Sequence, residues 1–294
     1  MAGSDLGKIR LMTEILIENC LKKEVIEMSR PDNFFREITG VPIHYARPPV
    51  APYGTRGKSY SFYTTAAFEQ KLTLCFEELW VTCPFGAAEI VTSAGTWVDK
   101  PGYHGFGRAI DVDAIFWAER DFVTLDYPSD PAFYLGIEAV FRKHFGTVLN
   151  YLYNAAHRDH LHIDDGTEVA FYSSSQSRTF FLQAALTHVF DIPVIIDGIY
   201  GNQTEAATKE ALKLVGSSGN IENKRTWKKL LSSIAEAAFE QISGELSPPE
   251  LLRSLYHVIE AELAGVESRK RIETALNALA NHEETQKWLA SFLP

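Results

Sequence analysis

The chain has 294 residues, 46% of them hydrophobic and 22% charged, and a formal net charge of −10. That length suits two domains, or one large domain with an appendage, and the composition is that of a globular protein, not a disordered one. The acidic balance argues against nucleic acid, or an anionic membrane surface, as a partner held by bulk charge.

In chain order, residues 1–30 are predicted to form an amphipathic helix with Ile9, Met12, Ile15, Leu16 and Ile17 toward a core. Glu14, Glu18 and Lys22 interrupt its apolar residues, so it does not read as a secretion signal. No run approaches the ~18 apolar residues of a transmembrane helix, and no membrane insertion is expected. Residues 31–65, rich in Pro, Gly, Tyr and Arg, read as an extended segment wrapped on the body of the protein. Residues 65–80 carry Ala67, Phe68, Leu72, Cys75, Phe76 and Leu79 at helical spacing. Cys20, Cys75 and Cys83 lack metal-type spacing and are expected to be buried thiols, with pairing of Cys75 and Cys83 left open.

AEIVTSAGTWV, residues 88–98, reads as a strand running into a turn at Gly95. GYHGFGRAIDVDAIFW, residues 102–117, is a glycine-rich loop entering a strand, with Ala109, Asp111 and Asp113 on one face and Ile110 and Val112 on the other. Residues 131–146 form a helix stopped by Gly146. In HRDHLHIDD, residues 157–165, a strand would set His160, His162 and Asp164 on one face and Leu161 and Ile163 on the other. YSSSQSRT, residues 172–179, reads as a boundary, and the chain beyond it as mostly helical. There Asp197, Gly198 and Gly201 fix a turn between two helices, Asn202 or Thr204 lies near the second cap, and Ser247 precedes Pro248 and Pro249 at a later helix start.

Two short strands, each with polar groups on one face, can form the floor of a metal site. Catalytic zinc takes three protein ligands and leaves a position for water, whose pKa it draws toward ~7. The candidate ligands are His104, in a loop made mobile by Gly102, Gly105 and Gly107, then Asp111 and His162. His160 is the candidate general base or proton shuttle. His157, at the rim, would take that role or polarise the substrate carbonyl. Asp164 or Asp159 would orient a ring nitrogen from behind.

HGFGRAID resembles the H-x-x-G-x-A-x-D signature of zinc peptidases that cut peptidoglycan stem peptides, and H-x-x-H-x-H, here His157, His160 and His162, is similar to their murein endopeptidase branch. The stretch from IVTSAGTWV to HLHID looks most like the extensin-like carboxy-terminal domain of that superfamily. The resemblance implies an α+β domain whose antiparallel sheet carries His104, Asp111 and His162, with one zinc ion. Its carboxypeptidase branch has Glu where His157 stands, and an Arg in the strand turn that reads TSAGTWV here. Both differences favour a D,D-endopeptidase over a D-Ala-D-Ala carboxypeptidase, with Arg108 or Arg158 as substitutes for the missing arginine. Tyr103 is a candidate donor to the oxyanion.

A second segment, residues 178–232, has the skeleton Leu-Gln-x-x-Leu, then Asp-Gly-x-Tyr-Gly-x-x-Thr, and resembles a small three-helix peptidoglycan-binding domain. The matching wall-binding positions are Asp197, Gly198, Tyr200, Gly201 and Thr204, with Trp227 in the third helix. The expected organisation is therefore a helix over 1–30, a peptidase domain over 31–171, a wall-binding domain over 178–232 and a helical region over 233–294. The expected partner is peptidoglycan, with a non-catalytic zinc-holding wall-binding protein as the rival reading. Action in the periplasm or the extracellular wall without an ordinary signal implies delivery by phage lysis, injection or effector secretion. Export or injection machinery, or an immunity protein, would then be further partners.

Overall fold

The computed structural model describes residues 29–245. The helix expected over residues 1–30 falls outside them except for its last two residues, as do Cys20, Ser247 and the rest of the region beyond 245.

The wrapping segment forms short strands, β1 (Phe34–Phe35), β2 (Glu37–Ile38), β3 (Val41–Tyr45), β4 (Lys58–Ser59) and β5 (Phe62–Tyr63). Helix α1 (Ala66–Thr82) follows, capped by Thr65, whose hydroxyl accepts from the Phe68 amide. It buries Phe68, Leu72, Cys75, Phe76 and Leu79 at the predicted spacing and ends before Pro84. Ala67, read as part of that stripe, is exposed, because it sits one residue out of phase with Phe68. Cys75 and Cys83 are both buried and both free.

Strands β6 (Ile90–Gly95), β7 (Ala109–Phe116), β8 (Asp121–Val123), β9 (Thr147–Leu149) and β10 (Leu161–Asp164) complete the main sheet, with helix α2 (Pro131–His144) between β8 and β9. The sheet order is β2-β3-β6-β7-β10-β9, with β4 beside β3 and β8 beside β7; β1 and β5 pair separately. The protein is α+β, as expected, but the sheet is mixed. Strands β3 and β6 run parallel, with His44 opposite Thr92, whereas the expectation was an antiparallel sheet. The cause is the connection: the chain leaves β3 and returns to β6 through α1, and a helical crossover delivers the next strand in the same direction. His104 also lies off the sheet, in the loop between β6 and β7.

Beyond the sheet come α3 (Gln176–His188), α4 (Asn202–Leu214) and α5 (Lys224–Glu245). They share one apolar core with the sheet, continuous from Phe35 to Ile242. Helix α2 is the common wall. On one side Phe141 meets Phe76 of α1 at 5.5 Å, and on the other Phe133 meets Phe239 of α5 at 6.0 Å. A Cβ on Gly136 would lie 2.9 Å from the Phe239 ring, so this glycine lets α5 approach closely.

The serine-rich stretch predicted as a boundary is where the two parts join. Arg142, buried on α2, donates to Glu138 at 2.8 Å, to the Val148 carbonyl at 2.9 Å and to the Ser177 hydroxyl at 2.9 Å. Arg178, also buried, donates to the carbonyls of Gly146 and Glu168 at 2.6 and 3.0 Å. Gly146 does more than end a helix. Its φ is not left-handed, and a Cβ there would meet the Thr167 carbonyl oxygen at 2.1 Å, so the residue admits a close backbone crossing.

Candidate metal centre

Register places the centre. β10 pairs antiparallel with β7 so that His162 stands opposite Asp111, and Leu161 opposite Val112. Leu161 and Ile163 are fully buried, which turns His162 and Asp164 to the other face, as the alternation predicted. The opposite edge of β7 meets β6 at a bulge, where Gly95, at φ +150°, comes level with Asp111. The bulge redirects the chain into the loop that carries His104.

That loop is made of hydrogen-bonded turns: Gly107 donates to the His104 carbonyl and Arg108 to the Tyr103 carbonyl, both at 2.9 Å. The wrapping segment clamps it, because Thr65 donates to the Gly107 carbonyl at 2.9 Å and the Thr96 hydroxyl to the Tyr63 carbonyl at 2.8 Å. Gly107, at φ +63°, packs against Pro31 and Thr64, where a side chain would collide. Gly107 thus serves a tight turn and a close backbone approach.

Three atoms converge. His104 Nε2 lies 3.2 Å from Asp111 Oδ1 and 3.1 Å from His162 Nδ1, and His162 Nδ1 lies 2.9 Å from Asp111 Oδ1. The outer nitrogens are assigned by their partners. His104 Nδ1 faces the Thr96 carbonyl at 2.5 Å and His162 Nε2 faces Asp164 Oδ2 at 3.1 Å; both oxygens only accept, so both nitrogens carry hydrogen. In the neutral rings the inner nitrogens are then lone pairs pointing at a carboxylate oxygen and at each other. Such a cluster takes up a proton or a cation. Burial lowers the His162 pKa, but hydrogen bonds and charges of Asp111 and Asp164 outweigh this and raise it to about 9, the direction expected of a ring that faces two carboxylates. Burial likewise opposes ionisation of Asp111, and its hydrogen bonds to His104 and His162 overcome that, holding its carboxyl far below the usual range. The donors also fit a metal. A tetrahedral ion with bonds of about 2.0–2.1 Å sets neighbouring ligands about 3.3 Å apart, close to the spacing found. His104, Asp111 and His162 are also the group that could hold a metal ion among the described residues.

His160 lies beside this group, its Nε2 3.7 Å from Asp111 Oδ1 and its Nδ1 2.8 Å from Asp159 Oδ1. His157 is bonded to Asn154 at 2.8 Å and stands with its ring 5.2 Å from that of His160. Burial first, and the neighbouring His160 and His162 next, push its pKa down to about 4, so it is neutral at physiological pH. Asp164 and Asp159 both sit behind histidines, as predicted, and Asp164 is fixed in turn by the Gly166 amide at 2.8 Å.

Other predicted residues are engaged elsewhere. The Tyr103 hydroxyl donates to the Gly166 carbonyl at 3.4 Å, and Arg108 pairs with Asp165 at 2.7 Å beneath the Tyr103 ring. Arg158 is exposed, stands 5.5 Å from the Tyr151 ring centre and forms no ion pair among the described residues. The sequence reading missed Arg47, which reaches Asp113 at 2.7 Å and also pairs with Asp159. Its one sequence signal was an arginine held between an apolar strand and a proline pair in HYARPP.

In the helical part, Gln183 knits the turn. It donates to Asp197 at 2.8 Å and Thr204 at 3.0 Å and accepts from the Gly198 amide at 2.8 Å. Thr204 is buried, so it shapes the turn from inside. Gly198 takes φ +72°, while Gly201 caps α4 with open space around it. Tyr200 packs on Phe171 at 5.2 Å, and Ile195 and Ile199 are exposed on the same loop.

Comparison with curated proteins gives no match, and comparison with solved structures gives none either. Residues 92–172, the stretch that contains His104, Asp111, His157, His160 and His162, match the family described as Extensin-like protein C-terminus.

Proposed function

We propose that the protein is a zinc-dependent peptidase of bacterial peptidoglycan that cuts an amide bond within stem peptides or their cross-links. The observation that carries the reading is the convergence of His104 Nε2, Asp111 Oδ1 and His162 Nδ1, with the outer nitrogens of both histidines already committed to oxygens. A partner behind each histidine is the arrangement expected of a site that binds metal. His and carboxylate donors in this number suit zinc. When bound, zinc supplies Lewis-acid chemistry: it polarises an amide carbonyl and makes water more acidic.

The chain's own groups do the rest. His160 presents Nε2 to the centre and is placed to take a proton from the attacking water and return it to the leaving amine. His157, uncharged at physiological pH, is placed to donate or accept at the rim. Arg158, exposed and next in sequence to His157, stands over the Tyr151 ring and is available to receive a carboxylate of the stem peptide. Arg47 and Arg108 are spent on Asp113, Asp159 and Asp165, which leaves Arg158 as the arginine of this region open to a substrate carboxylate. The helices from Gln176 onward would hold the enzyme to its insoluble substrate, raising its local concentration there.

The test is digestion of purified sacculi by the wild type and by His162→Ala, with products read by mass spectrometry. New amino termini inside cross-linked peptides, absent in the variant and after chelation, are the expected result. Loss of only a terminal D-Ala would identify a carboxypeptidase. Sedimentation with sacculi and no released fragment would leave a wall-binding protein. Cleavage by His162→Ala at the wild-type rate would remove the metal from the mechanism.

A further inference from the structure

Arg47 lies 112 residues from Asp159 and 66 from Asp113 in the chain, yet joins them. Its Nε and one terminal nitrogen grip the Asp113 carboxylate at 2.9 and 2.7 Å. Its other terminal nitrogen pairs with the Asp159 carboxylate, while the nitrogen that grips Asp113 also donates to the Asp159 carbonyl at 3.1 Å. Tyr53 lies beneath the guanidinium at 4.9 Å, and its hydroxyl is bonded to Thr124 at 2.9 Å.

The two acids differ in setting. Asp113 is fully buried in β7, at the centre of the sheet. Asp159 is 41% exposed on the loop leading to β10, where a lone carboxylate would have free choice of rotamer. Arginine's planar fork ties the loop residue to the sheet residue, which a lysine, with one nitrogen, could not do. Asp159 then accepts from His160 Nδ1 at 2.8 Å. A carboxylate has no hydrogen to give, so Nδ1 carries it, and the lone pair of the neutral ring is on Nε2, the nitrogen nearer Asp111.

We propose that Arg47 is a positioning residue: by clamping Asp159 to Asp113 it holds His160 as the Nδ1–H tautomer with its Nε2 lone pair turned to the ligand cluster. This rests on reading His160 as the group that handles the proton.

The test uses the full chain with isotope-labelled histidines. Nitrogen NMR at mildly alkaline pH, with and without zinc, reports which His160 nitrogen carries hydrogen, the signal being assigned by its loss in His160→Gln. Arg47→Gln alone would leave the buried Asp113 carboxyl without its partner, so it is paired with Asp113→Asn; Asp159→Ala is the second variant. The expected wild-type form is Nδ1–H, with that preference lost in both variants. In both, kcat on wall peptides should fall about 10–100-fold, with KM and zinc affinity unchanged. A merely structural role would lower stability without moving the tautomer or separating kcat from KM. Nε2–H in the wild type overturns the inference, and so does an Nδ1–H form that survives in the Arg47 variant, whatever Asp159→Ala does. If the wild type cuts no wall peptide but both variants lose the Nδ1–H form, the positioning role stands and the peptidase reading falls.

Discussion

Replacing Arg142 with Met should be among the most damaging single changes outside the His104, Asp111 and His162 cluster. Its side chain is 2% exposed and that of Glu138 is fully buried, so the pair is shielded from water. Without the guanidinium, Glu138 keeps only the Asn150 amide, at 2.9 and 3.1 Å, and the Ser177 carbonyl loses its 3.1 Å donor. Removing one partner of a buried pair costs about 3–5 kcal/mol, most of it from the charge left behind. Burial already raises the Glu138 pKa against the pull of Arg142, so losing Arg142 raises it further. The folded carboxyl then binds its proton more tightly than the unfolded one, and the penalty should shrink as pH falls below neutral. The double change Glu138→Gln with Arg142→Met removes both charges and should lie within about 1–2 kcal/mol of wild type. Urea unfolding of the full chain, followed by tryptophan fluorescence, measures all three proteins. Trp117 and Trp227 are both buried, one near the sheet and one on α5, so a shared core predicts that both report the same transition. A single-variant cost under about 1 kcal/mol, or a double variant no better than the single, would refute the argument.

Gly146→Ala should cost about 1–3 kcal/mol or more in a thermal melt, because the clash at 2.1 Å is with backbone that cannot turn away. Gly201→Ala, at φ −100° in open space but at the N-cap of α4, should cost no more than about 1 kcal/mol. Loss of sedimentation with sacculi in that variant would therefore mark a contact with the wall, and unchanged sedimentation would remove Gly201 from the proposed wall-binding surface. Glu78, bonded to His144 at 2.6 Å and to Lys143, is burdened by burial, but those bonds bring its pKa down to about 2. Its folded value lies below the unfolded 4.5, so its stabilisation is present above pH 4.5 and disappears as pH falls toward 2. Allowing for partial exposure, Glu78→Gln should cost about 1–2 kcal/mol near neutrality and nothing at the acid end; a pH-independent cost would contradict the assignment.

The parts of this protein that were legible before the structure are those written in local pattern. Alternation in HLHID placed His162 and Asp164 on one face, and Leu161 and Ile163 are indeed buried behind them. Helical spacing located α1 to within two residues. What stayed hidden depends on contacts between distant segments. The parallel pairing of β3 with β6 follows from a crossover that no alternation reveals. Arg47 finds Asp113 and Asp159 only after β3, β7 and the loop before β10 have assembled. The serine-rich stretch reads as a boundary by composition, yet its small side chains let Ser177 receive Arg142 and place Arg178 against the Gly146 carbonyl. Small polar residues suit a linker and a tight seam equally well.

The position of α2 between α1 and α5 bears on the order in which the chain is made. The ribosome releases residues 131–144 well before residues 224–245, so for a period the face of α2 around Phe133 and Gly136 has no Phe239 against it. A nascent chain in that interval exposes an apolar stripe on α2 and lacks the helix that covers it. Limited proteolysis of stalled chains ending before and after α5 would show the difference: the shorter should be cut within α2, the longer protected. Late closure of this kind would leave the core open on one side until nearly all of the described fold has emerged.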